Sequence, residues 1–570
     1  MRFFLKVLLL RSEKSHTVSL GLRVGCIRLS DVDRRTRLAM HLTDHDLRQL
    51  DHDALCRLGE EAVRRLAERL LADLKDARDQ LNQDSRNSSR PPGSDSVYRH
   101  SRGGLDREPP ADPAPDESSP APVDQAEETA DPNDPGAVDA AEATEPSGAT
   151  AAAARRPGRQ PGAPGFGRTQ KLTVNAVLDH WPGQCAVCGK NFAGDSVGQA
   201  YGGYDEIEVV PADPNAPGLR LWVTQHLFWD VSCGCGHCSR YQPPRAAVLP
   251  GWEGARVDAQ QMLGPRLAGL IVMLCLRYRL SRAKVQELLW ELLGLQLSAG
   301  LIDQTIRQSA GQVAPVEDLL LEEIERAGLL HLDETPWRES GLLLWLWVFN
   351  AVTTVVYFIG ARSAEIFVNA LQGRFGGCLM SDGYAVYRSY LNRIRCLAHL
   401  LRKARGLAEA TCRHTSQVGQ HLLDVLAGLM QAIQVARDHP PENLAEQQAP
   451  GLAQLKALCE LHQHSPFAKL GEFCREMLND WDAIVRPLLD PSLPLTNNAA
   501  ERLLRHWVIA RRLSFGTRSE QGTRAFALLA SIIDTCRARK ASAWDYLSAA
   551  LQAGRQGLPM PPLPTVSVGG

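Results

Sequence analysis

At 570 residues the chain is too long for one hydrophobic core, and its length fits about three or four folded units. The formal net charge of −2 averages an acidic, Ala- and Pro-rich stretch (106–146) with a basic, Gly- and Pro-rich one (154–171), so local charge is the better guide to partners. Fourteen cysteines in so long a chain exclude a small disulfide scaffold, and without an uncharged apolar run of about 18 residues no membrane span is expected.

The opening run to Leu10 is apolar but short, is interrupted by Lys6 and lacks a small-residue cleavage site. It does not read as a signal peptide, and residues 1–40 stay unassigned. From Leu55 through Leu58, Ala62, Leu66, Leu70, Leu74, Ala77 and Leu81, apolar residues recur every three or four positions. That spacing predicts an amphipathic helix within 41–84, either a coiled coil that joins two copies or a helix packed on its own chain. The polar, breaker-rich tract 85–170 cannot bury enough apolar area to offset the entropy of ordering, so a disordered linker is expected there.

Residues 171–245 carry two Cys-x-x-Cys turns, Cys185/Cys188 and Cys235/Cys238, separated by strand-like pieces. Two such turns complete a tetrahedral Zn²⁺ site in a zinc-ribbon-like domain, with Cys233 and His237 as competing ligands. Four protein ligands leave no open position, which makes such a site structural; a set of ordinary reduced cysteines is the alternative.

Residues 255–325 are strongly helical, with Gly294 as the stop of one helix and Ser298 as the cap of the next. The pair has the form of a helix-turn-helix, in which Gln304, Arg307 and Gln308 either read DNA or simply pack. From Gly328 the texture changes to strands, at about 328–334, 342–351, 354–360, 376–381 and 393–398, with a helix at 363–371. A mixed sheet with helices packed on it is expected over 326–405. A Leu- and Ala-rich helical block (406–494) interrupts this domain, two helices resume it (495–552), and a flexible tail (553–570) closes the chain. The fold class is multidomain α+β.

Three acids stand at marked places: Asp333 at the end of the first strand, Asp382 before Gly383, and Glu501 in the first turn of a helix capped by Asn497 or Asn498. Converging carboxylates from separate elements hold Mg²⁺, and two ions about 4 Å apart serve in-line displacement at phosphorus. Singly, Asp382 also reads as a turn residue and Glu501 as a helix-dipole partner. Neighbouring strand residues point to opposite faces, so Glu334 does not share the ions of Asp333. Arg402, Lys403, Arg502, Arg505, Arg511 and Arg512 crowd near these acids, either to neutralise DNA phosphates or as solvated helix faces. Trp337 and Trp507 are either base-stacking or core residues, and His399, in Cys396-x-x-His399, is either structural or phosphate-facing.

In several places, in order, the chain resembles transposases of the Insertion Sequence 66 family. The matching pieces are Leu81-Asn-Gln-Asp-Ser-x-Asn-Ser-Ser-Arg-Pro-Pro92, the Cys-x-x-Cys ribbon, His331-x-Asp-Glu-Thr-Pro336, Ser381-Asp-Gly-Tyr384, Cys396-x-Ala-His-x-x-Arg-Lys403 and Asn497-Asn-x-Ala-Glu-Arg502. The resemblance implies a ribonuclease-H-like domain with a helical insertion before the last acid. It also implies that Asp333, Asp382 and Glu501 act with Mg²⁺ (or Mn²⁺) in DNA cleavage and strand transfer. The expected partners are the DNA of element ends and target, further copies of the chain as a homo-oligomer, and small companion proteins; the expected location is cytoplasmic, at the nucleoid. The acidic tract 106–146 is longer than a family linker, and the first forty residues match nothing in the family. A recruited DNA-binding protein without chemistry and a nuclease that only hydrolyses are the competing readings.

Overall fold

The computed structural model describes residues 58–83, 87, 170–192, 196–210, 218–244, 252, 260–371, 374–439, 441 and 443–566. The expectations for residues 1–40 and for nearly all of the linker 85–170 lie outside them. The chain divides into two units, 96–171 and the remainder, and all that follows concerns the remainder.

Its first helix, α1 (Glu60–Asn82), is amphipathic as the spacing predicts. It meets the helical block through polar contacts, Asp76 with Lys469 at 3.1 Å and Asp79 accepting from the Thr411 amide. Asn87, in the tract expected to be a linker, is buried and donates to Glu409 and the Asn82 carbonyl. A side chain at Gly406 would strike its carbonyl, so this point of the polar motif is docked.

Strands β1 (Ala176–His180), β2 (Gly198–Val210), β3 (Arg220–Ser232) and β4 (Cys238–Arg240) form the first sheet, ordered β1-β3-β2 with β4 on β3. Helix α2 (Pro265–Val272) follows, and its free N-terminal amides are met from that sheet: the Glu208 carboxylate on β2 accepts from the amides of Arg266 and Leu267. Helices α3 (Arg282–Leu293) and α4 (Ala299–Gln312) have the Ser281, Gly294 and Ser298 punctuation the sequence announces. Of the two readings of this pair, packing holds for much of α4. Helix α4 is enclosed by α2 and two later helices, Gln308 is buried, and Arg307 pairs with Asp303 one turn away. Only Gln304 and Arg307 of the three named residues are exposed.

After α5 (Val316–Arg326) come β5 (Leu329–Glu339), β6 (Leu342–Asn350), β7 (Val355–Gly360), α6 (Ala364–Leu371), β8 (Cys378–Ser381) and β9 (Arg393–Arg395). They build a five-stranded sheet ordered β7-β6-β5-β8-β9, antiparallel among the first three and parallel in β5-β8-β9. Strand β5 outruns its expected end at Asp333 and continues to Glu339, pairing with β6 the whole way. Pro336 is tolerated because β8 pairs only with Leu329–His331, leaving that edge of β5 free of a ladder that would need its amide.

Helices α7 (Leu397–Ala408), α8 (Arg413–Asp438), α9 (Leu444–His462), α10 (Ala468–Asn479) and α11 (Trp481–Val485) share a second core of their own. Helices α12 (Asn498–Ser514), α13 (Glu520–Ala538) and α14 (Ala543–Gln556) return to the first. Helix α13 covers the edge strand β7, and its hydroxyls do what a neighbouring strand would. Ser531 accepts from the Tyr357 amide, while Thr535 accepts from the Val355 amide and donates to the Val355 carbonyl. The expected flexible tail is instead part of the fold as far as residue 566. Met560 and Leu563 pack on the core, and the carbonyls of Pro561 and Pro564 accept from Tyr546 and Arg539. Among the described residues no helix is long and apolar enough to cross a membrane.

Candidate active site

The parallel register pairs Leu329 with Cys378 and His331 with Met380. Asp333 lies two residues past the last β5 residue paired with β8, and Asp382 directly follows β8, so both acids stand where the two parallel strands stop pairing. Asp382 turns the chain by accepting from the Tyr384 amide at 2.9 Å. A side chain at Gly383 would collide with Arg395 and Glu476, so glycine is what lets the loop lie so close to the inserted helices.

The Asp333 carboxyl is pushed well above the usual range, first by burial and then by the negative charges of Asp382, Glu334 and Glu501. The three acids therefore share one electrostatic neighbourhood. Strand alternation gives Glu334 a different set of partners: it pairs with Arg362 at 2.7 Å and accepts from the Tyr387 hydroxyl. Arg362 in turn lies over the rings of Trp345 and Tyr384, 4.3 and 4.0 Å from their centroids. Burial, then the charge of Asp382, raises the Glu334 carboxyl despite that pairing.

Glu501 enters from α12, which packs on β5 and β6. Arg402 Nη2 lies 3.3 Å and His399 Nε2 3.7 Å from its carboxylate. His399 has its acidity pushed to about 3 by burial and by Arg402, Arg395 and Lys403, so it is a neutral imidazole. Its Nδ1 faces the Cys396 thiol at 3.2 Å. Among the described residues, Cys396, His399 and Glu501 form one of two sets whose ligand atoms all lie within 4.8 Å of one another. The ring stands between the two, with Nδ1 toward the thiol and Nε2 toward the carboxylate. Asp333, Asp382 and Glu501 do not close to that spacing. The acids are electrostatic neighbours without forming so tight a set.

One residue the sequence reading placed only as a cap proves central. Asn497 stands at the N-cap position but makes no side-chain cap bond. Fully buried, it donates through Nδ2 to the Leu332 carbonyl at 2.6 Å and meets His331 Nδ1 through Oδ1 at 3.1 Å. Its amide donates to the Cys396 sulfur at 3.2 Å. A single residue, through its side chain and its backbone amide, thus joins the Asp333 strand, the Glu501 helix and the start of α7. The signal available in the sequence was its place four residues before the acid; its partners are 165 and 101 positions away.

The six basic candidates divide. Arg402 is held by Glu501, Lys403 by Glu476 at 2.7 Å, and Arg511 by the Thr335 hydroxyl and Pro336 carbonyl. Arg502, Arg505 and Arg512 are exposed along α12. Trp337 and Trp507 are buried, with indole N–H groups on Thr517 and Asp534, so neither reaches a base.

In the first sheet the second close set is Cys185, Cys188, Cys233 and Cys235. The Cys185–Cys235 and Cys188–Cys233 sulfurs are each 3.6 Å apart. Thiolates at 2.3 Å from a tetrahedral ion stand about 3.8 Å apart, so the four fit such an ion. Gly189 and Gly236 take positive φ at the two turns, and the amides of Cys188 and Val187 lower the Cys185 thiol to about 6. The expected ligand Cys238 is replaced by Cys233, because Cys238 has passed into β4 opposite Ser232. Metal analysis of purified variants checks this: Cys233→Ser is expected to lose the bound metal and Cys238→Ser to keep it.

Residues 260–525 match the family described as Transposase IS66 family, and residues 45–104 match a family of unknown function. Three uncharacterized proteins of Sinorhizobium fredii are similar to the chain. Protein y4qI is 25% identical over 48% of this chain and 56% of its own length. Protein y4jO is 27% identical over 30% and 51%, and y4jD is 25% identical over 39% and 44%. The chain spans about half the length of the curated relatives it matches.

Proposed function

We propose, from the match of residues 260–525 to the IS66 transposase family, that this chain is a DNA transposase that cuts element ends and joins them to target DNA through Asp333, Asp382 and Glu501. The observation that carries the reading is that the charges of Asp382, just past the end of β8, and of Glu501, on α12, both act on the carboxyl of Asp333 on β5. A three-stranded meander followed by the parallel β5-β8-β9 supports a ribonuclease-H-like domain, and the helices between β9 and α12 fit the insertion before the last acid.

Burial and then the negative charges of Asp382, Glu334 and Glu501 lift the Asp333 carboxyl, and a divalent cation would relieve the charge part, so these oxygen donors suit Mg²⁺ or Mn²⁺. Such ions, when bound, lower the cost of forming the attacking oxygen and of releasing the leaving one at phosphorus. The chain's own part is positional. Asp333 and Asp382 face the reacting phosphate from the sheet and Glu501 from the helix. Neutral His399 and cationic Arg402 hold the Glu501 carboxylate, and Arg362 keeps Glu334 turned aside. In the first sheet the four-cysteine cluster fits Zn²⁺ as a structural ion.

Leu70, Leu71, Leu74 and Leu81 on α1 remain 40–68% exposed, which supports the use of this helix between copies in a homo-oligomer. Companion proteins of the same element complete the proposed partners. The test is an assay of cleavage and strand joining on element-end DNA with Mg²⁺. Asp382→Asn and Glu501→Gln are expected to bind the DNA and leave it uncut. Wild-type protein that binds without cutting would return the chain to a recruited DNA-binding protein, and cutting without joining would make it a hydrolytic nuclease.

A further inference from the structure

Helix α12 runs from the Glu501 end of the candidate site to a turn with an unusual residue. Phe515 follows the last helical residue in the left-handed conformation, φ +56°, with its ring 74% exposed. Glycine or asparagine is the usual occupant of such a C-terminal position, and a larger residue there is strained. The conformation is fixed from both sides. The Phe515 amide donates to the Arg511 carbonyl at 2.7 Å, and Gly516, at φ +93°, sits so tightly on the Arg338 carbonyl that no side chain would fit. Thr517 then ties the chain to the edge of β5, donating its amide to Arg338 and accepting from the Ser340 amide and the Trp337 indole. The backbone that carries this exposed ring is thus fixed in a costly conformation. Neighbouring Leu513, 64% exposed, extends the apolar surface.

What lies between this ring and Glu501 identifies its occupant. Arg502, Arg505, Ile509 and Arg512 are all exposed, at successive spacings of three, four and three, so they form one stripe along the helix. Guanidinium groups on a stripe suit a phosphate backbone, and an exposed ring at its end suits the face of a base. We propose that this stripe carries one DNA strand away from the acids and that Phe515 stacks on an unpaired base of that strand. The proposal rests on the DNA reading above. The 14 residues between Glu501 and Phe515 rise about 20 Å, which places the stacked base about six nucleotides from the cut phosphate.

The full chain would be titrated with a forked DNA, a duplex with an unpaired tail, carrying 2-aminopurine at successive tail positions. Quenching is expected at one position or two adjacent ones for wild type. Phe515→Gly should abolish it and weaken fork binding roughly tenfold or more, with no loss of melting temperature, since glycine relieves the strained φ. Phe515→Trp should restore both. Arg505→Ala should leave the quenching pattern in place while lowering the salt dependence of binding by about one counterion. Unchanged fork binding and quenching in Phe515→Gly overturns the stacking proposal and leaves the DNA reading intact. A change of oligomeric state in that variant overturns it in favour of a contact between copies. Wild type that binds neither fork nor duplex overturns both.

Discussion

Asp333→Asn is expected to lower DNA cleavage by on the order of 10³-fold or more and, without divalent metal, to melt at a higher temperature than wild type at neutral pH. The two effects have one cause. The Asp333 carboxyl is raised above its ordinary value by burial and by the charges of Asp382, Glu334 and Glu501. A carboxyl whose folded value lies above its unfolded value of about 3.9 contributes full stability below that value and loses it as pH rises through the folded value. Wild type therefore loses stability as pH rises above about 4, and the amide does not. The melting curves should converge as pH falls toward about 4 and separate as it rises. Added Mg²⁺ should raise the melting temperature of wild type far more than that of the variant. An Asp333→Asn protein with near-normal cleavage would remove this acid from the site, and one that melts with wild type at every pH would deny that the carboxylates repel one another.

Asn497→Ala is expected to cost about 2–5 kcal/mol of stability and to reduce cleavage beyond what that loss explains. The alanine leaves the buried Leu332 carbonyl and His331 Nδ1 without their partner and removes the amide that spans β5 and α12. Asn497→Asp keeps the shape but has no N–H to offer the Leu332 carbonyl, so it should fail to rescue. Chemical denaturation measures the first effect. Amide exchange measures the second, and it should quicken at 329–334 and 498–502 before global unfolding in the variants. Exchange unchanged in both segments would make Asn497 an ordinary core polar residue.

These predictions also show where sequence reading reaches its limit. Four of the five strands around Asp333 are legible because each contains a largely apolar run, a signal carried within a few residues, whereas β9 is the short Arg393-Ile-Arg395. The opposite orientation of Asp333 and Glu334 is legible for the same reason: it follows from the two-residue period of a strand. The end of β5 is not. Its continuation past Pro336 depends on which edge β8 leaves uncovered, and that is a fact of pairing.

What the sequence by itself determined is the set of chemically capable residues and the local element bearing each one: acids on strand and helix, thiols on tight turns, arginines along α12. Tertiary structure alone decided which of them meet. It chose Cys233 over Cys238, gave Lys403 to Glu476 and Arg511 to β5, enclosed α4, buried both tryptophans and put Asn497 at the junction of three elements. The physical reason is range. Periodicity and capping act over a turn of helix or two strand residues, whereas a buried polar group must find its partner wherever the packed chain brings one, and here that partner stands a hundred or more positions away.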